Sequence, residues 1–500
     1  MQPKFSRSLK RNMELMHNLL KLDETDDIVT REFTALGREC VLYFVEGMCN
    51  GQQIGEGVLR PLMRCREDVT GQAALELAIN RLIEAAELKT EADPHAAIQE
   101  IMRGQCVLLI DTVAEAVVAD YRFFNRRGIS TPQTENVVIG PHEAFNESLR
   151  DNLTLLHRML QTPDFTVEIL EIGTKISTQV ALCYLSGACK QETVDEMKKR
   201  IEGSSVDYVL ASGILEQLIE DDPFAPLPQV VGSERPDRAV SFLLEGQVVL
   251  LLDGSPRSLA MPMGFWHLFH APDDSYMRWQ YGSFMRIIRL FGALVALLLP
   301  AMFVSIVVFH PMSLPMTLLT SIMQSRTTLP LSLFGETIFM LAVFQLINEA
   351  GTRVPGLMGS SLGLVSTLIL GTAAFQAELV SPMLIIVVAL SGLGSYALPN
   401  YSLSFAFRMG QMLLLIAGGM MGMGGVWLVF ILLICWVAGM ESLSQPYLAP
   451  VSPARVHNPD LVLRAPIFRQ RLRAYLANPG EMRRVNGQMR RFDEGGKRKP

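Results

Sequence analysis

Between residues 285 and 453 the chain almost lacks charge: four acidic and five basic residues serve the whole stretch. Charged residues are only 19% of the 500-residue sequence, against about 25% in ordinary soluble domains. That deficit excludes a single evenly solvated globule. Cysteine is scarce and scattered, seven in all with no C-x2-C pair. A disulfide framework and a zinc ribbon are therefore excluded. The N-terminal MQPKFSRSLKRNMELMHNLL is charged throughout and has no apolar signal-peptide core. Roughly the first 280 residues are accordingly expected on the cytosolic side. The Gly-rich Gly418–Gly425 is not followed by G-K-[ST], so it is no phosphate loop.

What charge there is, is segregated. Residues 1–284 carry a net −15 and residues 454–500 a net +8. The uncharged block between them is expected to cross a membrane. Runs 290–309, 357–376, 379–399 and 409–439 are each long enough, at 1.5 Å per residue, to span the ~30 Å hydrocarbon core. Pro300 sits inside the first run, where membrane helices tolerate it. Leu331–Leu346 is shorter and contains Glu336, so it reads as a re-entrant or interfacial helix. Arg278, Arg286 and Arg289 precede the first run and the basic tail follows the last. The positive-inside rule then puts both ends in the cytosol, which needs an even number of spans. Four satisfies it.

The acidic half contains a duplication. ALCYLSGACK at 181–190 echoes VLYFVEGMCN at 41–50, and GQVVLLLDG at 246–254 echoes GQCVLLIDT at 104–112. Each copy opens on an apolar strand, runs through a helical stretch (73–88 or 192–202) and ends on a strand closed by Asp111 or Asp253. Continuous apolar strands alternating with helices predict α/β packing with buried strands. The expected organisation is an N-terminal extension (1–27), α/β subdomain 1 (28–127), a linker and connecting helix (128–162) and α/β subdomain 2 (163–284). A membrane domain (285–441) and a basic cytosolic tail (442–500) follow. The fold class is thus multidomain: duplicated cytosolic α/β subdomains, then a bundle of about four transmembrane helices.

Eight segments stand out in order: GPHEAFNESLRDN (140–152), DDPFAPLPQ (221–229), ERPDR (234–238), DGSP (253–256), LLLPAMFVSIVVFHP (297–311), NEAGTRVP (348–355), LPNYSLSFAFR (398–408) and QPYLAP (445–450). Together they resemble the GerA family of bacterial spore germination proteins. The resemblance runs from about Asp26 to Pro453, and FHPMSLPMTLLTSI (309–322) looks more like receptor A subunits than like their relative SpoVAF. It implies a subunit of a nutrient-sensing complex in the spore inner membrane, with a transporter-like B subunit and a lipoprotein C subunit as partners. It also implies a homo-oligomer forming a gated ion path. A SpoVAF-like channel that amplifies germination and a non-conducting signalling scaffold are the alternatives.

A conducting chain needs a wettable lane. On 357–376, Ser361, Val365, Leu368, Thr372 and Gln376 fall in one ~80° sector at 100° per residue. This stripe mixes small polar groups with an apolar constriction, a candidate pore lining; close helix packing is the competing reading. Glu336 and Glu378 are candidate pore-mouth charges, while Glu349 and Arg353 have the i,i+4 spacing of a structural pair. Gly359–Gly363 matches G-x-S-x-G but opens an apolar run with only His457 downstream, so no hydrolase, and no enzyme, is expected. His267, His270, Asp273 and Asp274 lack metal-site spacing and read as the connection into the membrane. No cofactor is expected. The basic tail, with few aromatics, suits anionic headgroups better than nucleic acid.

Overall fold

The structure, a computed structural model, describes residues 4–123, 131–132, 135–353, 369, 371–454, 460–473 and 480–484. The acidic half is two copies of one unit. In the first, α1 (Leu9–Leu20) precedes a hairpin of β1 (Ile28–Ala35) and β2 (Arg38–Val45). Leu36 and Gly37, both at positive φ (56° and 69°), make its two-residue turn. Helical residues 51–64 and 72–82 follow, then β3 (Leu88–Glu91), α2 (Pro94–Met102), β4 (Cys106–Ile110) and β5 (Ala116–Ala119). The second copy runs α3 (Leu149–Leu160), β6 (Phe165–Ile172), β7 (Thr178–Leu185), α4 (Gln191–Glu202), α5 (Ser212–Ile219), β8 (Val231–Ser233), α6 (Pro236–Leu244), β9 (Val248–Leu252) and β10 (Ser258–Met261).

The sheets have matching orders, β1-β2-β4-β5-β3 and β6-β7-β9-β10-β8, with every described pairing antiparallel. The strands still read as continuous apolar runs because helices cover both faces. Val107 and Leu109 of β4 pack under α1 and α2, while Cys106, Leu108 and Ile110 pack under helical 51–82. In β9 all five residues are buried for the same reason.

The repeat also starts earlier than its strands suggest. Residues 1–27 were expected as an extension and 128–162 as linker and connecting helix; instead α1 and α3 are equivalent first elements of the two copies. Asn12 donates to Ser6 O (2.7 Å) and accepts from Ser6 N (2.8 Å). Asn152 makes the same pair of bonds with Asn146, at 2.7 and 2.8 Å. Asp111 accepts from Leu9 N (3.1 Å) and Asp253 from Leu149 N (3.2 Å). These two aspartates end their strands and also satisfy a free donor at the first turn of a helix. The copies are joined at a buried contact between His157 of α3 and Asp27, which also accepts from Thr25 Oγ1 at 2.7 Å.

Three described helices are long and apolar enough to cross a membrane. The first is α7 (Trp279–Phe309), which begins eleven residues before its uncharged run and so includes Arg286 and Arg289. A short α8 (Met316–Ser325) leads to α9 (Leu333–Arg353). The segment expected to be re-entrant or interfacial is therefore part of a continuous 21-residue helix, of which Leu333–Ala350 has spanning length and hydropathy. Most of the expected span 357–376 lies outside the described residues. Then come α10 (Pro382–Tyr396) and α11 (Tyr401–Ala438).

The last is not one span, as the uncharged run 409–439 had suggested. At Gly422 the backbone takes φ 66°, ψ −153°, a region open essentially to glycine alone, and the chain turns back. A Cβ on Gly418 would stand 2.9 Å from Val426, and one on Gly410 3.8 Å from Leu433. Limbs 401–421 and 423–438 are thus antiparallel, with glycines where they approach. The turn lies against Phe309, the far end of α7. Going the other way, α9 runs from Phe334 beside Gly419 to Gln345 beside Arg408, and α10 from Ser381 beside Glu336 to Tyr396 beside Asn348. So α9 and α10 return toward the soluble module, and the hairpin goes out and back. The second limb, 423–438, thereby brings the tail to the module's side.

A single-span reading puts Ser402 and Glu441 on opposite membrane faces; the hairpin puts them together. In a background lacking the exposed Cys435, Ser402→Cys and Glu441→Cys should react with a membrane-impermeant maleimide only from the soluble-module side. Gly424→Cys should react only from the other side.

Candidate functional site at the base of the membrane helices

The two halves of the molecule meet at one buried carboxylate. After β10 a turn at Phe265–Phe269 and a single helical turn at Asp273–Tyr276 carry the chain into α7. Asp274 is fully buried. Its Oδ2 accepts from Ala271 N (3.2 Å), Arg286 Nε (3.2 Å) and Arg289 Nη1 (2.6 Å). The two arginines stand nearly one turn apart on one face of α7, so a single carboxylate reaches both. Arg289 also donates to Phe269 O (3.2 Å), and Arg286 to Asp460 Oδ1 (2.7 Å) and Leu461 O (3.1 Å).

The tail completes the joint. Arg464 donates to the carbonyls of Asp274, Ser275 (2.9 Å) and Met277 (3.1 Å), and its own N–H to Ser283 Oγ (2.9 Å). Further on, Gly480 N bonds Ala188 O (2.8 Å) and Arg484 pairs with Glu245. Asp460, Arg464, Gly480 and Arg484 therefore tie the tail to the protein itself. Likewise Arg286 and Arg289, which sequence reasoning assigned to the membrane edge, are held by carboxylates.

No group of metal-ligating side chains occurs among the described residues. His270 Nε2 faces Leu461 O at 2.7 Å, and Asp273 accepts from Val138 N at 3.1 Å. Burial, with Arg238 and Arg286 nearby, pushes the His267 imidazole down to about 3. Burial and Arg286 hold His270 well below its ordinary value. Both rings are neutral at pH 7. They border a cavity of about 170 Å³ that also touches Arg238, Glu245, Arg286 and Asp460.

Within the helices polar groups are few and mostly paired. Glu336, in the first turn of α9, is fully buried; it pairs with Arg326 at 3.2 Å and accepts from Ser381 N at 3.2 Å. It secures the turns at the far end of the bundle. Gln411 donates to Ser391 Oγ (2.6 Å), which donates to Ala296 O (3.1 Å), tying α11, α10 and α7 together. Arg408 donates to Gln345 Oε1 at 3.1 Å. Of the proposed pore-lining stripe, Ser361, Val365 and Leu368 lie outside the described residues. Thr372 and Gln376 are exposed one helical turn apart, and Glu378 is exposed at φ 51°. Glu336 and Glu378 come to the same end of the helices but not to the same surface. Gly359–Gly363 and the Arg353 side chain lie outside the described residues. Sequence reasoning missed Arg326, Asp460 and Gln411. Only Gln411, a lone polar residue in an uncharged run, carried a readable signal.

The sequence pattern of the Bacillus/Clostridium GerA spore germination protein family matches residues 15–476. The spore germination protein GerLA of Bacillus cereus is 32% identical over 437 residues, 87% of this chain and 88% of that protein. The uncharacterized membrane protein YfkQ of Bacillus subtilis is 33% identical over 486 residues, 97% and 93% of the two chains. Spore germination protein KA of Bacillus subtilis is 30% identical, with 87% of this chain and 80% of that one covered. The crystal structure of the N-terminal domain of the A subunit of the Bacillus megaterium spore germinant receptor GerK3 matches with TM-score 0.42 and 26% identity. It covers 52% of this chain and 97% of that one.

Removing one member of a buried ion cluster leaves its partners charged and unpaired, at about 3–5 kcal/mol. Asp274→Ala should therefore lower the thermal unfolding midpoint of the detergent-solubilised chain by several degrees. It should also expose the tail at 460–464 to limited proteolysis. Glu378→Ala, at an exposed carboxylate, should leave both unchanged.

Proposed function

The chain belongs to the Bacillus/Clostridium GerA spore germination protein family, and on that premise we propose that it is the A subunit of a nutrient-responsive spore germination receptor. It works as a homo-oligomer forming a gated ion-conducting path in the spore inner membrane, beside a transporter-like B subunit and a lipoprotein C subunit. The observation that carries this reading is the extent of the family match, which runs unbroken through the soluble repeats and the helices. The return of the tail to the side of the soluble repeats supports a common side of the membrane for both, which we take to be the cytosol.

The conducting lane lies between copies of the chain. Within one chain the helices pack closely, and glycines at Gly292 and Gly394 let α7 and α10 touch backbone to backbone. Thr372 and Gln376 face outward from that bundle, as side chains lining a space shared with a neighbour would. Ser361 continues the polar stripe, and Val365 and Leu368 form the constriction that closes it by dewetting. Glu378, exposed at the far end, supplies a cation-attracting carboxylate; Glu336, locked to Arg326, is structural. Nutrient recognition on the partner subunits reaches the gate through the soluble repeats and the Asp274 joint. The chain performs no catalysis in this scheme.

Ion efflux from vesicles tests it. Val365→Ala and Leu368→Ala should each raise resting efflux severalfold over the unsubstituted chain reconstituted with its partners. Unchanged efflux in both, with a folded complex, would favour the non-conducting scaffold.

A further inference from the structure

An apolar cavity of about 320 Å³ lies between α7 and the two limbs of α11. Phe265 and Trp266 roof it from the soluble side; Leu294 of α7 and Phe407, Leu413 and Ile434 of α11 are among its walls. No Asp, Glu, Lys or Arg lines it. Trp266 spends its one donor on Leu448 O (3.4 Å), so the indole leaves no polar handle for a guest. The cavity opens sideways, because Leu294, Leu413 and Ile434 at its edge are 41%, 53% and 48% exposed on the outer surface of the bundle. Water would find no partners there, and neither would a polar metabolite.

We propose that this cavity is a lipid-tail site, in which an acyl chain from the surrounding leaflet inserts between α7 and the hairpin and ends beneath Phe265 and Trp266. The proposal rests on reading these helices as membrane-crossing. Two observations choose a tail over other occupants. The cavity begins where the helices leave the soluble module, so the medium at its mouth is the bilayer. It also has no basic residue to hold a headgroup, so the hydrocarbon alone is recognised. The roof belongs to the connector that leads to Asp274, so a seated tail wedges the joint between soluble repeats and helices.

The full chain with Trp266 as its sole tryptophan (Trp279→Phe, Trp427→Phe, Trp436→Phe) would be placed in phosphatidylcholine vesicles brominated at mid-chain. Trp266 emission should fall at least twofold relative to unbrominated vesicles. Ala406→Phe, which fills the cavity, and Leu413→Phe, which narrows its mouth, should each restore most of it. Vesicle flotation separates the two readings: a chain that does not float overturns membrane insertion and the lipid site together. A floating chain with unquenched Trp266 overturns the lipid site alone. Equal quenching in both filled variants would assign the effect to bulk lipid and also overturn it. Unquenched Trp266 together with Leu413→Cys cross-links between copies would give the cavity to a second copy of the chain instead.

Discussion

A fully buried aspartate carries the connection between the two halves of this protein. Asp274 sits where a soluble chain becomes a membrane helix, and the first helix brings two arginines to it. A buried carboxylate is tolerable only when paired and hydrogen-bonded, and a buried arginine likewise. Each therefore fixes the other's place. Arg289 reaches back to Phe269 O and Arg286 forward to Asp460, so connector, helix and tail converge on one point. Charge thereby couples parts that hydrophobic contacts, being non-directional, would leave free to slide.

The soluble half delivers that connector in a defined direction because it is built twice. Each repeat is a five-stranded antiparallel sheet between helical layers, with an aspartate closing β4 or β9 and capping the first helix of its own copy. The second repeat ends on β10, four residues before the turn that roofs the apolar cavity. Duplication supplies two copies of one unit, and the second is continuous with the first membrane helix through the Asp274 joint.

Much of this was legible in the sequence, and the failures have physical causes. GQCVLLIDT and GQVVLLLDG betray the repeat because both strands are buried on both faces and can be nothing but apolar. α3 was expected as a helix but as a connector, and its equivalence with α1 stayed hidden because the matching bonds, Asp111 to Leu9 N and Asp253 to Leu149 N, join residues 102 and 104 apart. The fold-back at Gly422 was concealed for another reason: a run without charge has no periodicity to interrupt, and only the glycine cluster marks the turn. Glu336 was noticed as an expensive charge, but its partner Arg326 lies across a loop. Asp274 pairs 12 and 15 residues ahead, and Arg286 pairs 174 residues ahead with Asp460. No local pattern encodes such distances.

The account depends on the soluble repeat and the base of the first membrane helix behaving as one body. Hydrogen exchange of the full chain in lipid nanodiscs measures this directly. Amides at 282–289 should open with the same protection as the central strand β9 at 248–252, since unseating the helix base exposes Asp274 and its arginines together. Rapid exchange at 282–289 while 248–252 stays protected would show the two halves moving independently, and would contradict the account.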